Sequence, residues 1–262
     1  MRNVALLVAY EGTAYHGFQA QPIHLPTIQS ELEKAIQRLT GEQLRITGAG
    51  RTDAGVHAAG QVVNFYTTAR IPLERWPYAL NSVLPDDIVV KTAVDVPEEF
   101  HARFAARSKT YRYTIDLLHH PNVFWRRYAY HVGPKLDIAA MQEAAIHLVG
   151  EHDFSAFQDT GSNAFSAWRS LRELTLLQEG GLLHITISAN GFLYHMVRSI
   201  VGTLIEVGKG KYASSWVGDV LAKKQRCLAG PTVPPQGLCL KKVVYDDDII
   251  RQANLDIPCR LH

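Results

Sequence analysis

Gly48-Ala49-Gly50-Arg51-Thr52-Asp53-Ala54-Gly55-Val56-His57-Ala58 is the stretch on which the reading of this chain turns. Residues 43–47 before it read as a short strand. Gln61 to Thr67 after it alternate apolar and polar, the period of a half-buried strand. The stretch is therefore a glycine-rich turn between two strands, with an Arg, an Asp and a His inside it. Glycine admits positive φ and a close approach of backbone to a ligand. Loops on a rigid scaffold are where chemistry concentrates. A phosphate cradle is a poor fit: Gly48 and Gly50 begin a GxG, but no third glycine falls at the required spacing, no GK[ST] is present and no helix follows. A tight hairpin with solvated charges suits the same residues, and the loop alone leaves both readings open.

Outward from this turn the elements fall into a pattern. Asn3–Tyr10 is nearly all apolar, as a central strand requires. Glu11-Gly12-Thr13-Ala14-Tyr15-His16-Gly17-Phe18-Gln19 mixes aromatic and polar groups and reads as a structural lid or a ligand-facing loop. Thr27 is an N-cap for a helix whose apolar face is Ile28, Leu32, Ala35, Ile36 and Leu39, ended by Gly41. Residues 73–83 predict a second helix, weakened by Pro77, and Ile88–Val94 a further strand. The order strand, helix, strand, strand, helix, strand is the split βαβ, ferredoxin-like pattern.

The same order then recurs. Thr110–Leu118 is a strand. Asp137 caps a helix carrying Ile138, Met141, Ala145 and Leu148. Arg172–Leu177 and Leu182–Ser188 form a strand pair. Phe192–Val207 is a helix, Ser214–Lys224 an additional one, and Leu238–Tyr245 the last strand. The expected fold is α+β: two ferredoxin-like βαββαβ halves, 1–105 and 106–245, joined into one mainly antiparallel sheet. Helices are expected on one side and an active-site cleft between the halves. Residues 246–262 form a tail, acidic at its start.

Composition narrows the function classes. With 262 residues, 47% hydrophobic and 20% charged, the chain can bury a proper core. No apolar run reaches membrane-spanning length and no signal peptide is expected. Cys227, Cys239 and Cys259 lack CxxC spacing and read as reduced thiols of a cytosolic protein. The twelve histidines include no HExxH and no compact cluster with metal-ligand spacing. The net charge is only +2, so a nucleic-acid footprint must be local.

Such a footprint exists. Phe100-His101-Ala102-Arg103-Phe104-Ala105-Ala106-Arg107-Ser108-Lys109-Thr110-Tyr111-Arg112-Tyr113 interleaves Arg103, Arg107, Lys109 and Arg112 with aromatic rings and contains no acid. Cations meet phosphates and rings stack on bases, which suits RNA. A strand with a basic exposed face is the plainer alternative. Arg198 poses a separate question. It sits beside the apolar stripe Leu193, Met196, Val197, Ile200 and Leu204, where an unpaired charge is costly. No carboxylate lies within helical reach before Glu206. The expected partner is distant in sequence, and Asp53 is the candidate.

Several separated stretches now agree. Gly50–Ala58 resembles the signature of the TruA family of tRNA pseudouridine synthases. So do Tyr10–Gln19, Leu80–Pro85, Phe100–Phe104, Tyr111-Arg112-Tyr113, His152-Asp153-Phe154, His195–Arg198 and Gly237-Leu238, in the right order from about residue 4 to about residue 245. The stretch 163–169 matches less closely. The resemblance implies an isomerase that converts uridine to pseudouridine at positions 38, 39 and 40 of the tRNA anticodon stem-loop. It implies a cytoplasmic homodimer with tRNA lying across both subunits, and neither metal nor organic cofactor. By matching motif, Asp53 is the catalytic carboxylate, Arg198 its ion-pair partner, Tyr111 stacks on the target base, and Arg51 helps place the flipped nucleotide. The strip Arg103, Arg107, Lys109 and Arg112 is assigned to substrate binding. A non-catalytic RNA-binding protein of the same fold is the alternative, and a base-releasing glycosylase would need a second acid near Asp53.

Overall fold

The computed structural model describes residues 1–21, 25–161 and 165–246. Cys259, the 246–262 tail beyond Asp246, and Asn163 and Ala164 of the 163–169 stretch lie outside them. The chain divides into two compact units: Met1–Arg107 together with the stretch from Leu240 onward, and Ser108–Cys239. Among the described residues no helix is long and apolar enough to cross a membrane.

The first unit contains β1 (Arg2–Tyr10), α1 (Ile28–Thr40), β2 (Thr47–Gly48), β3 (His57–Thr67), α2 (Trp76–Asn81) and β4 (Ile88–Val96). β1 is central. It pairs antiparallel with β3, Leu6 opposite Val63, and with β4, Leu6 opposite Ala93. β2 adds a two-residue ladder to the far edge of β3, Thr47 opposite Asn64. The strand expected over 43–47 thus reduces to Thr47 and Gly48, whereas β3 begins earlier than expected, at His57.

Thr27 caps α1 through a reciprocal capping box with Ser30, and Gly41 ends it at φ 75°. The helix expected over 73–83 is shorter. A 3₁₀ turn, Leu73–Arg75, leads into α2, and Pro77 occupies its first turn, where the missing N–H costs nothing. α2 plants a fully buried Trp76 against Phe65, ring centroids 5.4 Å apart.

Phe65 and Val63 point to the helix face of this sheet, so Val62 and Asn64 point to the other. That other face is covered by the chain that follows β4. Ala5, Leu7, Val62, Val94 and Val96 pack with Phe100, Ala102 and Tyr245. Buried Asn3 and Asn64 fix this cover: Asn3 Nδ2 donates to Phe100 O at 2.9 Å, and Asn64 Oδ1 accepts from Ala102 N at 2.9 Å.

The second unit contains β5 (Ser108–Asp116), β6 (Tyr130–His131), α3 (Ile138–Ile146), β7 (Gly150–Asp153), β8 (Trp168–Glu179), β9 (Leu182–Ala189), α4 (Met196–Gly208) and α5 (Trp216–Lys223). Its sheet runs β5-β9-β8-β7, each neighbour antiparallel, with β6 a short parallel addition to β5. Counting the short β2, the first, third and second strands of the repeat lie side by side as β1-β3-β2 in the first unit and as β5-β9-β8 in the second, as the repeated βαββαβ reading expects. β8 is longer than the expected Arg172–Leu177. α4 starts at Met196, later than the expected Phe192, because His195 holds φ 60° and no helix runs through a left-handed residue. The last strand, β10 (Leu238–Val244), begins in the second unit and ends in the first.

Candidate active site

In the first unit the loop between β2 and β3 is fixed from beneath. Gln61 on β3 is fully buried, and its amide meets Gly50 twice: Nε2 donates to Gly50 O at 2.8 Å and Oε1 accepts from Gly50 N at 3.3 Å. The Tyr10 hydroxyl lies 2.7 Å from Thr52 Oγ1. Phe18 N donates to Thr52 O at 3.0 Å, and Gly55 N to Tyr15 O at 3.3 Å. Gly12 N donates to His57 Nδ1 at 3.0 Å, which makes that nitrogen the acceptor of the ring.

Two glycines permit this fit. A Cβ on Gly12 would stand 2.0 Å from Val56 O, and one on Gly17, at φ 88°, would stand 2.8 Å from Thr52 O. The stretch Glu11–Gln19, read as a lid or a ligand-facing loop, is thus the brace of the Asp53 loop. Thr52 is buried in that brace; Arg51 is exposed and Asp53 half-buried. The braced turn thus carries the Asp53 carboxylate and the exposed Arg51 guanidinium, and Glu11 Oε1 of the brace lies 3.8 Å from His57 Nδ1.

In the second unit Tyr111 lies on β5 opposite Ile187. It is 8% exposed, and its ring meets Phe192 edge to face at 5.0 Å. Two residues along the same face, buried Tyr113 donates to Pro234 O at 2.7 Å, and burial pushes its hydroxyl above the ordinary tyrosine range. Arg198 sits in the first turn of α4, half-buried, with Nε donating to Val233 O at 2.7 Å.

The basic strip does not stay together as one face. Arg103 is exposed, its guanidinium 5.6 Å from the centre of the exposed Phe104 ring, which in turn lies 4.2 Å from His101. Arg107 is engaged by Asp246: Nε reaches Oδ1 at 2.7 Å and Nη2 reaches Oδ2. That pairing holds the Asp246 carboxyl below its usual range. Lys109 and Arg112 are three apart on β5, so strand alternation sends them to opposite faces. Lys109 shares the face of Tyr111, while Arg112 shares that of Thr110 and Thr114. Arg112 Nε is buried and has no hydrogen-bond partner among the described residues.

Sequence reasoning missed a polar cluster next to Arg198. Asp159 Oδ2 lies 2.6 Å from His195 Nδ1 and 2.9 Å from Thr232 Oγ1, and Oδ1 accepts from Arg226 Nε at 2.6 Å. Burial would raise the Asp159 carboxyl, but the hydrogen bonds from His195, Arg226 and Thr232 outweigh it and hold the group below its ordinary value. Nothing in the local sequence joins residues 159, 195, 226 and 232. Among the described residues no three His, Cys, Asp or Glu side chains are grouped as they would be around a metal ion.

The profile of the tRNA pseudouridine synthase family matches residues 6–105 and 144–246 of this chain, which take in Asp53 and Arg198. The chain belongs to the tRNA pseudouridine synthase family. Within that family it is 49% identical over 246 residues to the tRNA pseudouridine synthase A of Moorella thermoacetica, covering 94% of this chain and 100% of the relative. It is 50% identical over 245 residues to that of Thermoanaerobacter sp. strain X514, with the same two coverages. The relative from Brevibacillus brevis is 46% identical over 245 residues. The match spans the full length of these synthases, so both halves of the repeat belong to the family.

Proposed function

We propose that this chain isomerises uridine to pseudouridine in tRNA, at positions 38, 39 and 40 of the anticodon stem-loop. What carries the reading is the Asp53 loop, a turn fixed by Tyr10, Gln61 and Gly12, within a chain of this family. The reaction breaks the bond from N1 to C1′, turns the uracil, joins C5 to C1′, and exchanges one proton for another: C5 loses its hydrogen and N1 gains one. Atoms and electrons balance without oxidant, water or phosphate, so no cofactor is called for. A target in a stacked stem must be flipped out before its C1′ can be reached.

In this reading Asp53 attacks the sugar or removes a proton, and Arg198 is the ion-pair partner that keeps it ionised. Tyr111 stacks on the base and Arg51 places the flipped nucleotide. The stretch Arg103, Arg107, Lys109 and Arg112 serves tRNA binding, with the exposed Arg103 the cation best placed to meet a phosphate. The half 1–105 supplies Asp53 and the half 106–245 supplies Tyr111 and Arg198. The working form is a cytoplasmic homodimer with tRNA across both subunits.

Tritium release from tRNA labelled at uridine C5 tests the activity. Release with the base still attached to the chain is expected. Free uracil would mean a hydrolytic glycosylase, and no release with intact tRNA binding would mean a non-catalytic RNA-binding protein; either outcome overturns the proposal.

A further inference from the structure

The acceptor of Arg198 Nε belongs to a short segment, 230–233, that is laid against α4 and tied at both ends. At one end Gly230 N donates to Thr203 Oγ1 at 2.9 Å and Gly230 O accepts from Arg226 Nη1 at 3.0 Å. Contact there is so close that a Cβ on Gly202 would stand 1.8 Å from Pro231 O. At the other end Thr232 Oγ1 donates to Asp159 Oδ2 at 2.9 Å, accepts from Arg226 Nη2 at 2.7 Å, and lies 3.2 Å from Ser199 Oγ. The next residue, Val233, presents its carbonyl to Arg198 Nε at 2.7 Å.

The same carboxylate also holds the start of the helix. His195, at φ 60°, precedes α4, and its Nδ1 faces Asp159 Oδ2 at 2.6 Å. An ionised carboxylate only accepts, so Nδ1 carries the hydrogen. A left-handed non-glycine residue persists only where its surroundings over-determine it. Asp159 thus grips both the residue that launches the Arg198 helix and the segment that supplies the Arg198 acceptor. A planar guanidinium with Nε on a fixed carbonyl has its plane set, and with it the direction of its outer edge.

We propose that Asp159 and Thr232, with Arg226 and His195, are positioning residues that aim the Arg198 guanidinium. The proposal rests on the assignment of Arg198 to the reaction. It adds four residues that act through Arg198 rather than on the nucleotide.

The test measures kcat and KM by tritium release from C5-labelled tRNA with the full-length protein. Thr232→Val keeps the shape and removes the hydroxyl. It should lower kcat by about 10- to 100-fold, the scale of a misaimed catalytic group, with KM within about twofold. Thr232→Ser should recover most of the rate. Asp159→Asn should repeat the kcat pattern, and it serves if Thr232→Val does not fold. In an Arg198→Lys background, Thr232→Val should cost less than about twofold more, because the two changes disable one group. Wild-type kcat in both Thr232→Val and Asp159→Asn, a loss confined to KM, or losses that multiply with Arg198→Lys would overturn the proposal. Wild-type turnover by Arg198→Met would overturn the assignment of Arg198 itself, and the positioning role with it. An inactive Arg198→Met beside fully active Thr232→Val and Asp159→Asn would overturn only the positioning role.

Discussion

Gln61 and Gly50 are joined by two hydrogen bonds that use both halves of one buried side-chain amide and both backbone groups of one glycine. The pair behaves like a rung of sheet supplied by a side chain. It lets β3 hold the loop that carries Arg51 and Asp53 beyond the β2 ladder, which ends at Gly48, and beyond the last backbone bond, from Ala49 N to Val62 O at 2.8 Å. Gln61→Leu keeps the volume and leaves two polar groups of Gly50 without those partners. Gly50 is half-buried, so each lost hydrogen bond costs about 0.5–1.5 kcal/mol, and the variant should unfold at lower urea with an unchanged m-value. Its kcat should fall more than its KM rises. Unaltered stability and turnover would show that the loop holds its shape without this clamp.

Salt dependence of tRNA binding separates the four cations of the 103–112 stretch. Removing a residue that neutralises one phosphate should lower the slope of log K against log salt by about one unit. Arg103→Ala should do so, since Arg103 is exposed beside the exposed Phe104 ring. Arg107→Ala should change the slope less, because Asp246 already engages that guanidinium. Lys109→Ala and Arg112→Ala should differ from each other, since the two residues occupy opposite faces of β5. Four equal slopes would contradict this division.

The residues of the candidate site were more legible than the contacts that hold them. The alternation of β3, the apolar run of β1, the Thr27 cap and the Gly41 stop are local signals, read within a few residues. The Arg51–Asp53 turn was legible for the same reason, as glycines mark where backbone must bend or approach. Tyr10 and Thr52, or Asp159 and Arg226, meet across 42 and 67 residues, and no local pattern encodes such a meeting. Pro77 misled because a proline reads as a breaker until the helix start is known, and here it sits in the first turn. His195 misled because its side-chain type says nothing of a left-handed backbone, which the Asp159 contact and its neighbours impose. The basic strip read as one feature along the chain, but strand alternation divides it.

The helix that carries Arg198 should show a defined acid sensitivity through Glu206. Burial opposes ionisation there, but hydrogen bonds from Lys211, at 2.5 Å, and Lys209, at 3.3 Å, outweigh it and hold the carboxyl below its usual range. The native state thus keeps Glu206 charged at a pH where the unfolded chain, with a value of about 4.3, takes up a proton. Its contribution is present above that value and is lost as pH falls through the lower native one. The stability gap between wild type and Glu206→Gln, from urea unfolding, should hold steady above about pH 5 and narrow below about pH 4. A gap that widens on acidification would contradict the pairing.

Tyr111 should divide stacking from hydroxyl chemistry. Tyr111→Phe keeps the ring that meets Phe192 edge to face. If stacking alone matters, this variant turns over nearly as wild type and Tyr111→Ala is badly impaired. If the hydroxyl moves a proton, Tyr111→Phe binds tRNA normally and turns over slowly. Wild-type activity in Tyr111→Ala would remove the residue from the site.

Asp53→Asn is the most direct measurement, because it keeps the shape of the braced loop and removes only the charge and the nucleophile or base. Pseudouridine is quantified in nucleoside digests of tRNA treated with wild type and variant, alongside tRNA affinity and thermal unfolding. The expected result is a folded protein with near wild-type tRNA affinity and no detectable pseudouridine. Pseudouridine formed by Asp53→Asn at a measurable rate would contradict the assignment of Asp53 as the catalytic carboxylate.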